Sequence, residues 1–164
     1  HITERPPVGV MVEVPAAVYQ VRRFARRVEF ISVGSNDLTQ YLLAVDRNNR
    51  KVASLYEPLH PAVLRAVAST VHAADRAGIP VSLCGEMAAD PVCTLVLIGM
   101  GLRSLSMSAF FIPVIKRLIR SVDIHTAASL ATQALTLATV KEVKGFVFDR
   151  MRTLGLVDLM EAYH

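Results

Sequence analysis

The sequence has 164 residues, 52% of them apolar, and carries a net charge of +4. A chain of this length can bury the core of one compact domain, and its apolar content excludes a disordered protein. Its apolar runs are far shorter than the ~20 residues of a membrane-spanning helix, and the N-terminus has no apolar signal core. Two cysteines, Cys84 and Cys93, are too few for a disulfide framework, so we expect a reducing, cytoplasmic location.

The positive charge does not indicate a nucleic-acid partner. The basic residues form helix-like groups, around positions 22–27 and 116–120, which are typical of solvated helix faces. The sequence contains no Trp and shows no aromatic platform on which bases could stack. We therefore expect neither nucleic acid nor membrane as a partner.

The first part of the sequence alternates strand and helix patterns. Residues 8–14 have a period of two with β-branched residues on one parity, which predicts a strand. Apolar residues at helical spacing predict a helix over 16–27. A second strand is predicted over 30–34, and a short helix over 38–45.

The same alternation continues through the middle of the sequence. A long helix is predicted over 62–77, with Gly78 as its stop. Strands are predicted over 79–83 and 102–107, on either side of a helix over 91–100. Beyond Phe111 the pattern is helical to the end, with breaks near Asp123, Gly145 and Gly155.

Four strand–helix units predict an α/β fold with a parallel sheet. In each predicted strand one parity is aliphatic, whereas the other carries small or polar residues, as in a closed barrel interior. We therefore expect the second half of a (β/α)8 barrel over residues 1–122 and a helical extension over 123–164. The other half would lie upstream in a longer parent, or the chain would pair with itself.

Two carboxylates follow neighbouring strands. Glu13 ends the first strand and Asp37 follows the second by three residues. Two oxygen ligands with open positions suit Mg²⁺, which takes its other ligands from water and a phosphorylated substrate. The alternative is a buried Glu with a basic partner and an Asp that caps a helix.

Three further side chains could act on a ligand, and each has a structural alternative. Asn36 could donate to a phosphate or cap the helix at Leu38. Arg47 could bind phosphate through two N–H donors or be solvated. Cys84 could be a nucleophile, metal ligand or proton donor, or only a small buried residue, as we expect for Cys93. His60, between two prolines, is expected to be structural.

Several segments together resemble the phosphoenolpyruvate-utilising enzymes, and most closely Enzyme I of the phosphoenolpyruvate-dependent phosphotransferase systems. The resemblance covers roughly residues 8 to 110 in the family's order. Met87, where a dikinase would carry His, favours the phosphotransferase branch, and Pro91-Val92-Cys93 is more similar to the nitrogen-related Enzyme I. The matching strings are GVMVEVP at 9–15, FISVGSNDLTQY at 30–41, LAVDR at 43–47, YEPLHPAVL at 56–64 and CGEMAAD at 84–90.

The resemblance implies roles for the candidate residues. Glu13 and Asp37 would hold Mg²⁺, while Asn36 and Arg47 would bind phosphoenolpyruvate. Cys84 would deliver a proton to the enolate carbon as pyruvate forms. In this family the phosphoryl group passes to a histidine on a separate domain, and from there to a histidine-containing phosphocarrier protein.

The sequence departs from the family pattern in two respects. Ala89 replaces an expected glycine, and the phosphohistidine domain and first barrel half are absent from residues 1–164. The five histidines, His1, His60, His72, His125 and His164, include no candidate phosphoacceptor, so we expect no phosphotransfer by this chain alone. The alternatives are a pyruvate, phosphate dikinase-like fragment and a non-catalytic dimerisation module. We expect the chain to form a homodimer.

Overall fold

The sheet is parallel throughout and follows the order of the sequence. The computed structural model describes residues 5–161, so His1 and His164 lie outside the described residues. Each strand pairs with the next, in the order β1-β2-β3-β4. The strands are β1 (Gly9–Val12), β2 (Phe30–Gly34), β3 (Val81–Cys84) and β4 (Ser104–Ser106).

Helices connect the strands and continue beyond the sheet. Short 3₁₀ turns occur at Ala53–Leu55, Glu86–Ala88 and Ala109–Phe111. The helices are α1 (Pro15–Phe24), α2 (Ser35–Leu43), α3 (Pro61–Ala77), α4 (Pro91–Gly99), α5 (Ile112–Ser121), α6 (Ile124–Thr136), α7 (Val140–Thr153) and α8 (Val157–Glu161).

The two faces of the sheet differ as the strand parity predicts. Val12, Ile31, Val33 and Leu83 are fully buried among the helices. On the other face Met11 is 48% exposed, and Ser104 and Ser106 are also exposed. The parallel α/β sheet is therefore confirmed. Its closure into a barrel stays a prediction.

Most predicted elements are present, and two local predictions are wrong. Gly78, at φ +69°, ends α3 as predicted, and breaks occur near Asp123 and Gly155. However, α2 begins at Ser35, earlier than predicted, so Asp37 lies in its first turn. Gly145 lies inside α7 because the helix is held by a capping box, in which Thr139 and Glu142 satisfy each other's backbone N–H groups.

The C-terminal helices pack on the helical layer rather than over the open face of the sheet. The main contact joins α6 to α4, and buried residues of α6, α7 and α8 belong to the same core as α4. The basic residues of α5, such as Lys116 and Arg117, are exposed as expected. The division at residue 122 stays a prediction. Among the described helices, none is both long and apolar enough to cross a membrane.

Candidate functional site

The predicted site residues lie at the carboxyl ends of the strands, because all four strands run in the same direction. A cavity of about 360 Å³ opens between the ends of β3 and β4. It contains two of the predicted residues, Asn36 and Cys84, and several residues that the sequence analysis did not single out. Its lining consists of Asn36, Cys84, Gly85, Glu86, Ala89, Ser106, Met107, Ser108 and Phe111.

Cys84 is the last residue of β3 and presents a free, half-buried thiol to the cavity. Its Sγ lies 3.5 Å from the backbone oxygen of Val33, to which the thiol can donate. Cys93 differs sharply, since it is 1% exposed inside α4 and donates to Asp90 at 3.4 Å. Burial, with the nearby Asp90 carboxylate, raises the pKa of the Cys93 thiol well above its usual range. Cys93 is thus the structural cysteine that we expected.

Asn36 does not cap its own helix, so that alternative is wrong. Its Oδ1 accepts a hydrogen bond of 3.0 Å from the backbone N–H of Glu86. The hydroxyl of Tyr56 lies 3.5 Å from the same oxygen. Because a backbone N–H can only donate, this contact fixes the orientation of the amide. The Asn36 Nδ2 group therefore keeps its donors for a ligand in the cavity.

Arg47 lies at the rim of the cavity, in contact with a residue that lines it. Its Nη1 is 3.5 Å from Oε1 of Glu86, and the two side chains are 37% and 62% exposed. An exposed ion pair at this distance contributes little to stability. The guanidinium can therefore leave Glu86 for an anionic ligand at small cost.

Glu13 and Asp37 follow neighbouring strands, as predicted. The Glu13 side chain lies over Gly34: its Oε2 is 3.0 Å from the position that a Cβ on Gly34 would occupy. The absence of a side chain at Gly34 thus leaves room for the Glu13 carboxylate. Gly34 lies three residues before Asp37 in the sequence. The described residues contain no cluster of three or more His, Cys, Asp or Glu, so a cation here would need further ligands from water or substrate.

Three residues of the site were missed by the sequence analysis: Ser35, Tyr56 and Glu86. Tyr56 is half-buried beside Asn36, and its pKa is raised by burial and by the Glu86 carboxylate. Tyr56 comes from an irregular loop, and no local pattern predicts where such a loop folds. The position of Glu86 directly after Cys84-Gly85 was the one available signal.

Comparison with known proteins relates this geometry to a family. Residues 1–124 match the family described as "PEP-utilising enzyme, PEP-binding domain". The "Phosphoenolpyruvate-dependent phosphotransferase system" protein of Salmonella typhimurium is 46% identical over 156 residues, covering 95% of this chain and 21% of that protein.

Two proteins named "Phosphoenolpyruvate-protein phosphotransferase" are also similar. The protein of Haemophilus influenzae is 47% identical over 136 residues, covering 83% of this chain and 24% of the relative. The protein of Cupriavidus necator is 57% identical over 100 residues, covering 61% of this chain and 17% of the relative. The chain thus spans a quarter or less of the length of these relatives.

Proposed function

Because this chain belongs to the phosphoenolpyruvate-utilising enzymes, as their phosphoenolpyruvate-binding domain, we propose that it binds phosphoenolpyruvate in a phosphotransferase of the Enzyme I type. The observation that carries the proposal is the cavity at the ends of β3 and β4. Cys84, with its half-buried thiol, and Asn36, with its oriented amide, line the same cavity, and a guanidinium lies at its rim. These groups are a proton donor and two kinds of donor for phosphate or carboxylate oxygens.

The chemistry follows from these groups. Arg47 and the Asn36 amide hold the anionic oxygens of phosphoenolpyruvate. When the phosphoryl group leaves for an acceptor histidine, the P–O bond breaks and its electron pair stays with the enolate. The enolate carbon then takes the proton of the Cys84 thiol, so that pyruvate forms and a thiolate remains, to be reprotonated by solvent. The open side of the cavity admits both the substrate and that solvent.

The chemistry of the two carboxylates suits a divalent cation. Glu13 and Asp37 would hold Mg²⁺, which when bound offsets the negative charge of the phosphoryl group. The fit rests on the chemistry of two hard oxygen donors and on the space that Gly34 leaves beside Glu13. Water and substrate oxygens would complete the shell.

The remaining parts of the function concern a longer protein. The sheet would be the second half of a (β/α)8 barrel ending near residue 122. The acceptor histidine and the contact with a histidine-containing phosphocarrier protein would lie in a domain outside this chain. The nitrogen-related branch is supported by the residues that follow Asp90, and a cytoplasmic location by the number of cysteines.

A calorimetric titration of this chain with phosphoenolpyruvate, with and without Mg²⁺, tests the proposal. We expect Mg²⁺ to strengthen binding and Asp37→Asn to weaken Mg²⁺-dependent binding by about tenfold or more, a loss of roughly 1.4 kcal/mol. The matched control is Asp75→Asn, since Asp75 is exposed near the opposite end of β3. Equal binding by the wild type and the Asp37 variant would remove the carboxylate from the site, and absence of any binding would reject the proposal.

We also propose that two copies associate through the β4 side of the sheet. A groove of about 500 Å³ lies between β4 and α5, where Ile112, Ile119 and Ile124 are 43–46% exposed. Within the described residues β4 is an edge strand, with backbone groups open to pairing. A second copy could cover both features.

Size-exclusion chromatography with light scattering tests the association. The wild type is expected to be dimeric and Ile119→Glu monomeric, because the introduced charge would be buried in the contact. Tyr19→Glu is the control, since Tyr19 is 87% exposed on α1. A wild type that stays monomeric over a wide concentration range contradicts the proposal.

A further inference from the structure

The serine that follows β2, Ser35, forms its side-chain hydrogen bond with a neighbouring strand rather than with its own helix. Ser35 is the first residue of α2, directly after the N-cap residue Gly34, and a serine hydroxyl near the start of a helix often bonds to nearby backbone groups. No side chain caps α2 at its N-terminus. Instead the Ser35 Oγ donates across to the neighbouring strand and reaches the backbone oxygen of Cys84 at 2.7 Å. The hydroxyl thus links the first turn of α2 to the residue that carries the proposed acid.

The Ser35 hydroxyl is one of several groups at the start of α2 that contact residues 84–86. The next residue, Gly85, has φ +112°, a conformation that residues with a side chain rarely adopt. A Cβ on Gly85 would lie 2.4 Å from the Ser35 Oγ and 2.8 Å from the Asn36 Oδ1. The backbone of Gly85 therefore packs directly against the start of α2, and Asn36 holds the following N–H of Glu86.

These contacts determine where the thiol can point. Ser35 is fully buried, so water does not compete for its hydrogen bond. The strand register pairs Cys84 with Gly34 of β2 and Ser106 of β4, and β3 ends there, so beyond Cys84 no strand pairing constrains the chain. Fixing the Cys84 carbonyl limits rotation about the Cα–C bond of Cys84, and hence the direction of its Cα–Cβ bond, while the thiol at the end of that bond lies 3.5 Å from the backbone oxygen of Val33.

We propose that Ser35 is a positioning residue that holds the Cys84 thiol toward the cavity through the Cys84 carbonyl. The proposal deepens the proposed function and rests on it for the role of the thiol, but the positioning itself can be measured without substrate. Ser35 does not itself line the cavity, so it acts on the reaction only through the lining residues that it contacts, of which Cys84 carries the thiol.

The test is the rate at which iodoacetamide alkylates Cys84 in this chain, followed by mass spectrometry. Cys93 serves as an internal reference, because it is 1% exposed and should react only on unfolding. With the hydrogen bond removed, Ser35→Ala should release the thiol and raise the Cys84 rate by about three- to tenfold, the range that corresponds to one hydrogen bond. Ser35→Thr, which keeps the hydroxyl, should stay within about twofold of the wild type, since no hydrogen bond is lost.

Thr70→Val is the matched control for losing a buried hydroxyl. Thr70 is fully buried in α3 and donates to the backbone oxygen of Ala66 at 2.9 Å, so its loss affects stability but not the site. In the Thr70→Val variant, the alkylation rate of Cys84 should equal that of the wild type. A folded Ser35→Ala variant, with Cys93 still protected, that reacts at the wild-type rate overturns the proposal.

If Ser35→Ala exposes Cys93, that variant has unfolded, and the Cys84 alkylation rate of the Ser35→Thr variant then tests the proposal. A folded Ser35→Thr at the wild-type rate supports positioning, and a folded one that reacts at the faster rate contradicts it. Titration of the same variants with phosphoenolpyruvate and Mg²⁺ separates the two proposals. A changed alkylation rate in a chain that binds no phosphoenolpyruvate would leave the positioning intact and reject the proposed function.

Discussion

Replacing Cys84 by alanine should reduce turnover by about 10²- to 10⁴-fold in a full-length phosphotransferase that carries this chain, the range for loss of a positioned general acid. Affinity for phosphoenolpyruvate should stay nearly unchanged, because Arg47 and the Asn36 amide remain in place. The expected result is thus a fall in kcat without a matching loss of binding. Steady-state formation of pyruvate, together with calorimetric titration of phosphoenolpyruvate, measures both quantities.

Cys93→Ala is the matched control for this experiment. It removes the other thiol of the chain, which is buried in α4 and does not line the cavity. We expect wild-type turnover and a small loss of stability from this variant. A Cys84→Ala enzyme that retains turnover within tenfold of the wild type would exclude the thiol as the acid, whereas a parallel loss of affinity would indicate that Cys84 holds the substrate.

The strands could be predicted because their signal is local. A period of two and aliphatic residues on one parity identified β2 at its observed bounds, and in the structure Glu13 directly follows β1 while Cys84 ends β3. Since parallel strands end at the same edge, the sequence also indicated that these residues would lie at one end of the sheet. The family resemblance supplied the roles of those residues, which strand geometry alone could not do.

The remainder of the site depends on contacts between distant parts of the chain. Tyr56 reaches Asn36 from a loop that is fixed in turn by an ion pair, in which Lys144 of α7 lies 2.5 Å from Glu57. Nothing near position 56 in the sequence records that contact. Ser35 was missed for a similar reason: a serine before a helix predicts a local cap, and only the folded sheet shows that its hydroxyl bonds to another strand.

The roles of two helical glycines could likewise not be predicted from the local sequence. Gly145 was expected to break a helix, but a capping box and the buried stripe of Val143, Val147 and Met151 stabilise α7 across it. Gly99, the last residue of α4, marks a close approach between two helices, which its position in the sequence does not indicate. From the sequence alone, a glycine cannot be assigned to one of two roles. Either it allows a backbone conformation that other residues avoid, or it leaves space for a close contact with another element.

These two glycines should therefore respond in opposite directions to alanine. A Cβ on Gly99 would lie 2.1 Å from the backbone oxygen of Ala127 and 2.8 Å from the Ala131 Cβ, both in α6. A backbone oxygen cannot rotate away, so α4 and α6 would have to separate. We expect Gly99→Ala to lower the free energy of unfolding by about 3 kcal/mol, the upper part of the range for an overpacked core.

Gly145→Ala is the matched control, because it makes the same change on an exposed face. A Cβ there would have no described atom within 4 Å, and alanine favours the helix. We expect a gain of about 0.5–1 kcal/mol from this substitution. Urea unfolding followed by circular dichroism compares the two variants with the wild type. A Gly99→Ala protein as stable as the wild type would contradict the close contact between α6 and the end of α4.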